Sequence, residues 1–362
     1  MPQLGIDDNR LASVSGIPRL ACSEGIKKAT PLMNRKELAV TPNETIMIDQ
    51  RAPVLSWPVF FGSVGIRPCS HTNPGLPLLS GDARLRHALP AITRLNRMRL
   101  GRIASPDGVA FVSIEGALDD PTGMVAREIA EHPFGTPTFT GRSWPVADIR
   151  LLSPMLAGKV VCVGKNYADH IAEMGGQTGP AQADPVIFLK PNTAIIGPNV
   201  PIRLPASASP VHFEGELAVV IGRPCKDVSA VQAADNILGY TIANDVSARD
   251  QQQADGQWTR AKGHDTFCPV GPWIVTDVDP SDLELRTEVN GQVKQHSRTS
   301  LMIHDVGAIV EWISAVMTLL PGDLILTGTP AGVGPIEDGD TVSISVEGIG
   351  SLTNPVVRKG KS

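Results

Sequence analysis

The alternation of apolar and polar residues predicts a chain built mainly from short strands after Leu151. Runs of β-branched residues bordered by Gly, Pro or Asn recur in KVVCVGKNY, PVIFLKPNTAIIGP, HFEGELAVVIG, ILGYTIAND, CPVGPWIVTD, LELRTEVNGQVKQ, DLILTGTP and DTVSISVEGIG. Helical spacing is confined to YADHIAEM, SAVQAADNI, SARDQQQ and DVGAIVEWISAVMTLL. Because strands outnumber helices and do not alternate with them, we predict a β-rich α+β roll or sandwich rather than a Rossmann sheet.

The ordered pattern begins abruptly at Met98. The stretch MRLGRIASPDGVAFVSIEG reads as two alternating strands joined by the turn Pro106-Asp107-Gly108, which predicts a β-hairpin. We therefore predict a small N-terminal hairpin domain and linker over residues 98–150, followed by the main domain over residues 151–358.

Residues 1–97 differ from the remainder in charge and composition. They carry a net charge of +5 and ten prolines, whereas the rest of the chain carries −10. They show no sustained strand or helix periodicity. We expect a poorly ordered extension, translated from a start codon assigned too far upstream. Abundant peptides from this segment in the native protein would contradict that expectation.

The overall charge and the cysteine pattern narrow the function classes. A net charge of −5 and a pI near 5.9 argue against partners such as nucleic acid or an anionic membrane surface. No apolar stretch reaches 18 residues, so no membrane-spanning helix is predicted. The five cysteines are scattered without a CxxC pair, which indicates free thiols in a reducing compartment. We predict a cytoplasmic location.

Two glutamates stand at the start of the apolar run in HFEGELAVVIG. Side chains alternate along a strand, so Glu214 and Glu216 are expected to point to the same face. Asp245 follows another apolar strand, GYTIAN. Three converging carboxylates suit a hard divalent cation such as Mg²⁺. The spacing alone also fits an exposed strand end whose acids pair with Lys or Arg.

Three further motifs have both a chemical and a structural interpretation. His170 and Glu173 share one face of a short helix, as a general base and its orienting carboxylate would, or as part of a solvated helix face. Lys262 lies in a loop before a strand-like segment, where it either stabilises an oxyanion or is a surface lysine. The turn LTGTPAGVG offers Thr329 and backbone N–H groups to an anion, or is an ordinary turn.

The order of these motifs is more informative than any one of them. GKNYADHIAEMG, PVIFLKPNTAIIGP, HFEGELAVVIG, GYTIANDVSARDQQ, RAKGHDTFCPVGP and LTGTPAGVG follow each other over residues 157–356. This series resembles the fumarylacetoacetate hydrolase family. The resemblance implies a mixed β-sandwich roll with few helices, and residues 98–144 look like the small N-terminal domain of some bacterial members. Nothing in residues 1–97 matches.

The resemblance also implies roles for individual residues. It implies that a Mg²⁺ or Mn²⁺ ion is bound by Glu214, Glu216 and Asp245. It assigns catalysis to His170, Glu173 and Lys262, the first two on a lid helix. It assigns substrate contacts to Arg249, Gln252 and Thr329.

The activity implied by the resemblance is the chemistry of a metal-bound enolate of a small 2-oxo acid. The first expectation is a 2-hydroxyhepta-2,4-diene-1,7-dioate isomerase or a related hydrolase of aromatic degradation, working as a homodimer. Acylpyruvate hydrolysis and oxaloacetate decarboxylation or tautomerisation are the alternatives within the family. A catalytically silent scaffold that keeps the fold is the alternative from a different class.

Overall fold

The computed structural model describes residues 97–118, 120–175 and 184–358. The predicted extension over residues 1–97 lies outside the described residues, apart from Arg97.

Strands dominate the described part of the chain. They are β1 (Arg99–Ser105), β2 (Gly108–Glu115), β3 (Val125–Ile129), β4 (Phe139–Pro145), β5 (Arg150–Leu151), β6 (Val160–Gly164), β7 (Val186–Lys190), β8 (Ile195–Ile196), β9 (Ile202–Leu204), β10 (Val211–Phe213), β11 (Gly215–Ile221), β12 (Ile237–Asn244), β13 (Ser247–Ala248), β14 (Cys268–Val275), β15 (Glu284–Val289), β16 (Gln292–Arg298), β17 (Leu324–Leu326), β18 (Gly334–Pro335), β19 (Thr341–Val346) and β20 (Gly350–Arg358). The predicted β-rich fold with few helices is confirmed.

The helices of the described residues are short. They are α1 (Ala168–Glu173), α2 (Ala230–Ala233), α3 (Arg249–Asp255), α4 (Thr259–Lys262) and α5 (Val306–Val316). All four predicted helices are present, but α4 was predicted as a loop and that prediction was wrong. The Asp305 side chain caps α5 by accepting a bond from the Ala308 N–H at 2.8 Å. No helix in the described ranges combines the length and apolarity needed to cross a bilayer.

The strands of the described residues form three sheets. The large 12-stranded sheet runs β4-β3-β2-β1-β14-β12-β11-β17-β6-β7, with β5 beside β1 and β8 beside β14. A five-stranded sheet runs β16-β15-β19-β20-β9, and a three-stranded sheet runs β13-β10-β18. The pairs β17–β6, β14–β8 and β20–β9 are parallel, so the arrangement is mixed.

Two predicted hairpins are confirmed. β1 and β2 pair in register from Leu100↔Ser113 to Ser105↔Gly108. β15 and β16 are joined by Asn290 and Gly291, whose φ angles of 54° and 74° are those of a tight hairpin turn. β1 also pairs with β14 through Leu100↔Ile274, so the hairpin continues the large sheet. The predicted domain boundary at residue 150 stays a prediction.

The central strand β11 is buried on both faces. Leu217 and Val219 pack into one hydrophobic cluster, while Ala218 and Val220 pack into another on the opposite side. A strand covered on both faces needs a continuous apolar run instead of alternation, which explains the sequence ELAVVI. The start of this strand is therefore fixed in position by packing on both faces.

The stretch HFEGELAVVIG is not one strand, as we had predicted, but two. The chain leaves the three-stranded sheet at Phe213 and enters the large sheet at Gly215, with Glu214 between them. A Cβ at Gly215 would lie 2.2 Å from the Thr287 hydroxyl and 3.2 Å from Ile344. The crossing therefore requires glycine, and it places Glu214 at the junction of two sheets.

Candidate metal-binding active site

Three buried carboxylates meet where β11 and β12 pair. The register sets Gly215 opposite Asn244, and the Asp245 N–H donates to the Glu214 carbonyl at 2.9 Å. The Glu214 N–H in turn donates to Asn244 Oδ1 at 2.9 Å. One oxygen from each of Glu214, Glu216 and Asp245 lies within 4.8 Å of the others, and all three residues are buried. We call these three residues the acid cluster.

Cations surround two members of the acid cluster. Lys262 Nζ donates to Glu214 Oε2 at 2.7 Å and to Asp245 Oδ2 at 2.6 Å. Arg249 Nη2 lies 2.6 Å from Glu214 Oε1, and Lys190 Nζ lies 2.6 Å from Asp245 Oδ1. Both oxygens of Glu214 and both oxygens of Asp245 are thus paired, which fixes the orientation of the two carboxylates.

Neighbouring charges shift the pKa values of Glu214 and Lys262 in opposite directions. Burial alone would raise the pKa of Glu214, but the charges of Lys262 and Arg249 outweigh it and hold that pKa well below its usual range. Burial likewise works against the charged form of Lys262, yet Asp245 and Glu214 raise its pKa. Glu214 is therefore an anion and Lys262 a cation.

Glu216 is the member of the acid cluster that lacks a cation. Its Oε2 accepts a bond from the Gly328 N–H at 2.6 Å, and it makes no ion pair within the described residues. Burial, followed by the charges of Asp245 and Glu214, raises its pKa well above the usual range. An uncompensated buried carboxylate beside two others is costly. A divalent cation with a preference for oxygen ligands fits this set of donors.

The acid cluster forms the floor of a cavity of about 550 Å³. The walls combine apolar and charged side chains. They are formed by Val163, Gly164, Lys165, His170, Ile171, Met174, Gly175, Phe188, Arg249, Gln252, Gln253, Trp258, Lys262 and Thr329. Every residue that the sequence predicted for the site, except Glu173, lines this cavity.

The pair His170 and Glu173 lies on α1, as predicted. Histidine Nδ1 is 3.2 Å from Glu173 Oε2, and His170 is buried. The other oxygen of Glu173 accepts a bond from the Gly332 N–H at 3.0 Å. Glu173 therefore orients the imidazole from outside the cavity and ties α1 to the glycine-rich turn after β17.

The three predicted substrate contacts differ in how free their polar groups are. Arg249 Nη1 donates to Gln252 Oε1 at 2.9 Å, so these two side chains form one wall. Thr329 Oγ1 donates its hydrogen to the Gly215 carbonyl at 2.9 Å and accepts from Gln295 Nε2 at 2.8 Å. The Thr329 hydroxyl is therefore bonded to the backbone between Glu214 and Glu216. Its contact with substrate stays a prediction.

Sequence reasoning missed Lys190 and Trp258. Lys190 is buried at the end of β7, with Nζ bonded to Asp245 and to the Val246 carbonyl at 3.2 Å. The sequence did contain a signal for Lys190, because this lysine ends an apolar run and shares a strand face with Phe188. Trp258 stands with Phe188 against the Lys262 ammonium, at 6.0 and 5.0 Å from the ring centroids.

Comparison with known proteins places this arrangement among related enzymes. A crystal structure of 2-hydroxyhepta-2,4-diene-1,7-dioate isomerase from Mycobacterium marinum is 84% identical, with a TM-score of 0.69, covering 73% of this chain and 100% of that one. Oxaloacetate tautomerase fahd2 of Xenopus laevis is 43% identical over 224 residues, covering 58% of this chain and 69% of the relative.

A more distant solved structure carries ligands. Fumarylpyruvate hydrolase from Pseudomonas aeruginosa, in complex with Mn²⁺ and pyruvate, is 31% identical, with a TM-score of 0.54, covering 58% of this chain and 92% of that one.

Two family models match consecutive parts of the chain. The first, Rv2993c-like, N-terminal, matches residues 98–154. The second, fumarylacetoacetate hydrolase C-terminal, matches residues 159–357, which include the acid cluster and the cavity. The chain is an enzyme of the fumarylacetoacetate hydrolase family.

Proposed function

We propose that the protein is a divalent-metal-dependent isomerase of 2-hydroxyhepta-2,4-diene-1,7-dioate. The observation that carries the proposal is the acid cluster, buried on the floor of a cavity that His170 also lines. The isomerase from Mycobacterium marinum, with its 84% identity, supports the choice of substrate.

The acid cluster would hold Mg²⁺ or Mn²⁺ through one oxygen of each carboxylate. When bound, such an ion supplies Lewis-acid stabilisation of negative charge on the oxygens of a 2-oxo acid. Lys262, whose Nζ is already shared between Glu214 and Asp245, adds a second positive charge on the same floor.

His170 is the group that moves the proton in this proposal. Isomerisation removes a proton from the hydroxyl on C2 and adds one at C5, which leaves a 2-oxo-3-ene product. The imidazole lines the cavity, and Glu173 holds its Nδ1, so Nε2 is the nitrogen left for the substrate. Arg249 and Gln252 would orient the substrate from the adjacent wall.

Hydrolysis of acylpyruvates, or tautomerisation of oxaloacetate, is the second candidate. The contact between His170 and Glu173 favours hydrolysis, because an oriented imidazole also activates water. The tautomerase from Xenopus laevis, at 43% identity, supports tautomerisation of oxaloacetate. A homodimer and a cytoplasmic location remain predictions.

The test is a comparison of substrates with and without metal. The purified protein is stripped with EDTA, and conversion of the dienoate, acetylpyruvate and oxaloacetate is followed by absorbance and product mass. We expect the dienoate to be converted fastest, EDTA to stop the reaction, and Mg²⁺ or Mn²⁺ to restore it. EDTA-insensitive turnover would contradict the metal assignment, and no turnover of any of the three would favour a silent scaffold.

A further inference from the structure

Lys165 is a charged residue of the cavity wall that the proposed reaction does not use. It follows β6 directly and is exposed, whereas the three residues of the acid cluster, which line the same cavity, are buried. A substrate whose 2-oxo acid end is bound by the buried acid cluster extends from there toward the solvent-exposed part of the cavity, where exposed side chains such as Lys165 can contact it. The position of Lys165 suits contact with a remote part of the substrate.

The other cations of the cavity already have carboxylate partners. Lys262 is paired with Glu214 and Asp245, and Arg249 is paired with Glu214. Among the described residues, Lys165 forms no ion pair with any Asp or Glu side chain. It is therefore the cavity cation whose charge is available to a ligand.

The backbone holds Lys165 in a specific conformation. Its φ of 59° is left-handed, which non-glycine residues adopt at a cost. The next residue, Asn166, is fully buried and bonded through Nδ2 to the Thr327 and His304 carbonyls at 2.8 and 3.0 Å. The His304 N–H donates back to Asn166 Oδ1 at 2.8 Å. The Lys165 Cα is thus fixed relative to the floor.

The charges of the cavity lining favour a ligand with two negative charges. The lining carries the three carboxylates of the acid cluster and three cations, Lys165, Arg249 and Lys262. Just outside the lining, the charge of Lys190 beside Asp245 and the charge of Glu173 beside His170 offset each other, so the charges cancel and a bound divalent ion leaves an excess of two positive charges. A dianion balances that excess, whereas a monoanion leaves one positive charge unmatched inside a partly buried site.

We propose that Lys165 is the specificity residue that binds the second, distal carboxylate of a 2-oxo dicarboxylic acid. The inference rests on the proposed function for the position of the 2-oxo acid end on the floor. It goes further in assigning the discrimination between dicarboxylic and monocarboxylic substrates to a single side chain.

The test measures binding and turnover separately. Binding of 2-oxoheptanedioate and of 2-oxohexanoate, which lacks the terminal carboxylate, is measured by calorimetry with Mg²⁺ for the wild type, Lys165→Met and Lys165→Arg. Lys226→Met, an exposed lysine outside the cavity, is the matched control. Turnover is compared in parallel for 2-hydroxyhepta-2,4-diene-1,7-dioate and 2-hydroxyhexa-2,4-dienoate.

We expect the wild type to bind the dicarboxylate more tightly, by about tenfold to a hundredfold, as a charge-assisted bond implies. Lys165→Met should remove this preference without weakening the monocarboxylate, and Lys165→Arg and Lys226→Met should retain it. A wild type without the preference, or a Lys165→Met variant that keeps it, would overturn the inference. Lys165-dependent binding without turnover of either dienoate would instead refute the proposed isomerase activity and leave the inference standing.

Discussion

The acid cluster and helix α1 line the same cavity, yet they are held in place by different kinds of contact. Both oxygens of Glu214 and of Asp245 are paired with buried cations, and β11 and β12 fix their backbones. Helix α1 has six residues, and Glu173 ties it to the rest of the site through one bond to the Gly332 N–H. A helix this short has little stability of its own.

This difference assigns separate tasks to the two regions. The carboxylates of Glu214 and Asp245 in the floor are held in position by these cations before any substrate arrives. The helix carries the imidazole, so its position decides whether a proton is moved. Changes in the floor should therefore alter metal binding and turnover together, while changes in α1 should alter turnover alone.

The largest expected effect comes from Glu216→Ala in the floor. Losing the unpaired carboxylate should lower metal-dependent turnover by about a thousandfold or more, because a Lewis acid contributes several kcal/mol. Glu131→Ala, a change at an exposed acid, should behave as wild type. Steady-state rates and calorimetric Mn²⁺ binding check the prediction, and unchanged Mn²⁺ affinity in Glu216→Ala would refute the assignment of this ligand.

His170→Asn tests the other side of the comparison. Loss of the proton-transferring imidazole should lower turnover by about a hundredfold or more, since general acid–base catalysis contributes that much. Mn²⁺ affinity should stay within a factor of about two, because the histidine is not a metal ligand in this assignment. The control is His296→Asn, an exposed histidine paired with Glu284. A large loss of Mn²⁺ binding in His170→Asn would show that the two regions are not separable.

The residues of the acid cluster could be predicted from the sequence, whereas Lys190, which holds Asp245 in place, could not. Glu214, Glu216 and Asp245 were found because acids flanking apolar strands are visible in the pattern. Their spacing alone also fitted an exposed strand end whose acids pair with Lys or Arg. Lys190 was missed because it lies 55 residues from Asp245, and only the pairing of β7 with β6 brings its strand to the site. A period-two pattern describes one strand and cannot show which strands become neighbours.

The crossing at Glu214 was missed for a related reason. The run HFEGELAVVIG has the composition of one strand, and nothing local marks a change of sheet except Gly215. The division into two strands depends on tertiary structure, because Phe213 pairs with β18 whereas Gly215 pairs with β12. By contrast, the turn at Asn290 and Gly291 was predictable because its backbone conformation is set by those two residues themselves.

Lys190→Met tests whether Lys190 stabilises the protein by its pairing with Asp245, independently of catalysis. Both atoms of the Lys190–Asp245 pair are buried, so removing the cation should destabilise the protein by about 3 kcal/mol. The matched change Lys226→Met breaks an exposed pair with Asp227 and should cost at most about 1 kcal/mol. Urea unfolding without metal measures both values. Equal stabilities of the two variants would contradict a structural role for Lys190.

The smallest expected effect comes from Gly164→Ala, a change in the part of the cavity wall that Gly164 and Trp258 form. A Cβ at Gly164 would lie 2.6 Å from Trp258 Cζ3, so Gly164→Ala must displace the indole, which also borders the neighbouring cavity formed by Val186, Leu189 and Met317. We expect a loss of about 1–2 kcal/mol in stability from overpacking.

Gly135→Ala, where an added Cβ meets nothing within 4 Å, is the control and should leave stability and KM unchanged. Because neither Gly164 nor Trp258 belongs to the acid cluster, Gly164→Ala should raise KM several-fold at unchanged Mn²⁺ affinity. A loss of metal binding would mean that Trp258, through its contact with Lys262, belongs to the floor.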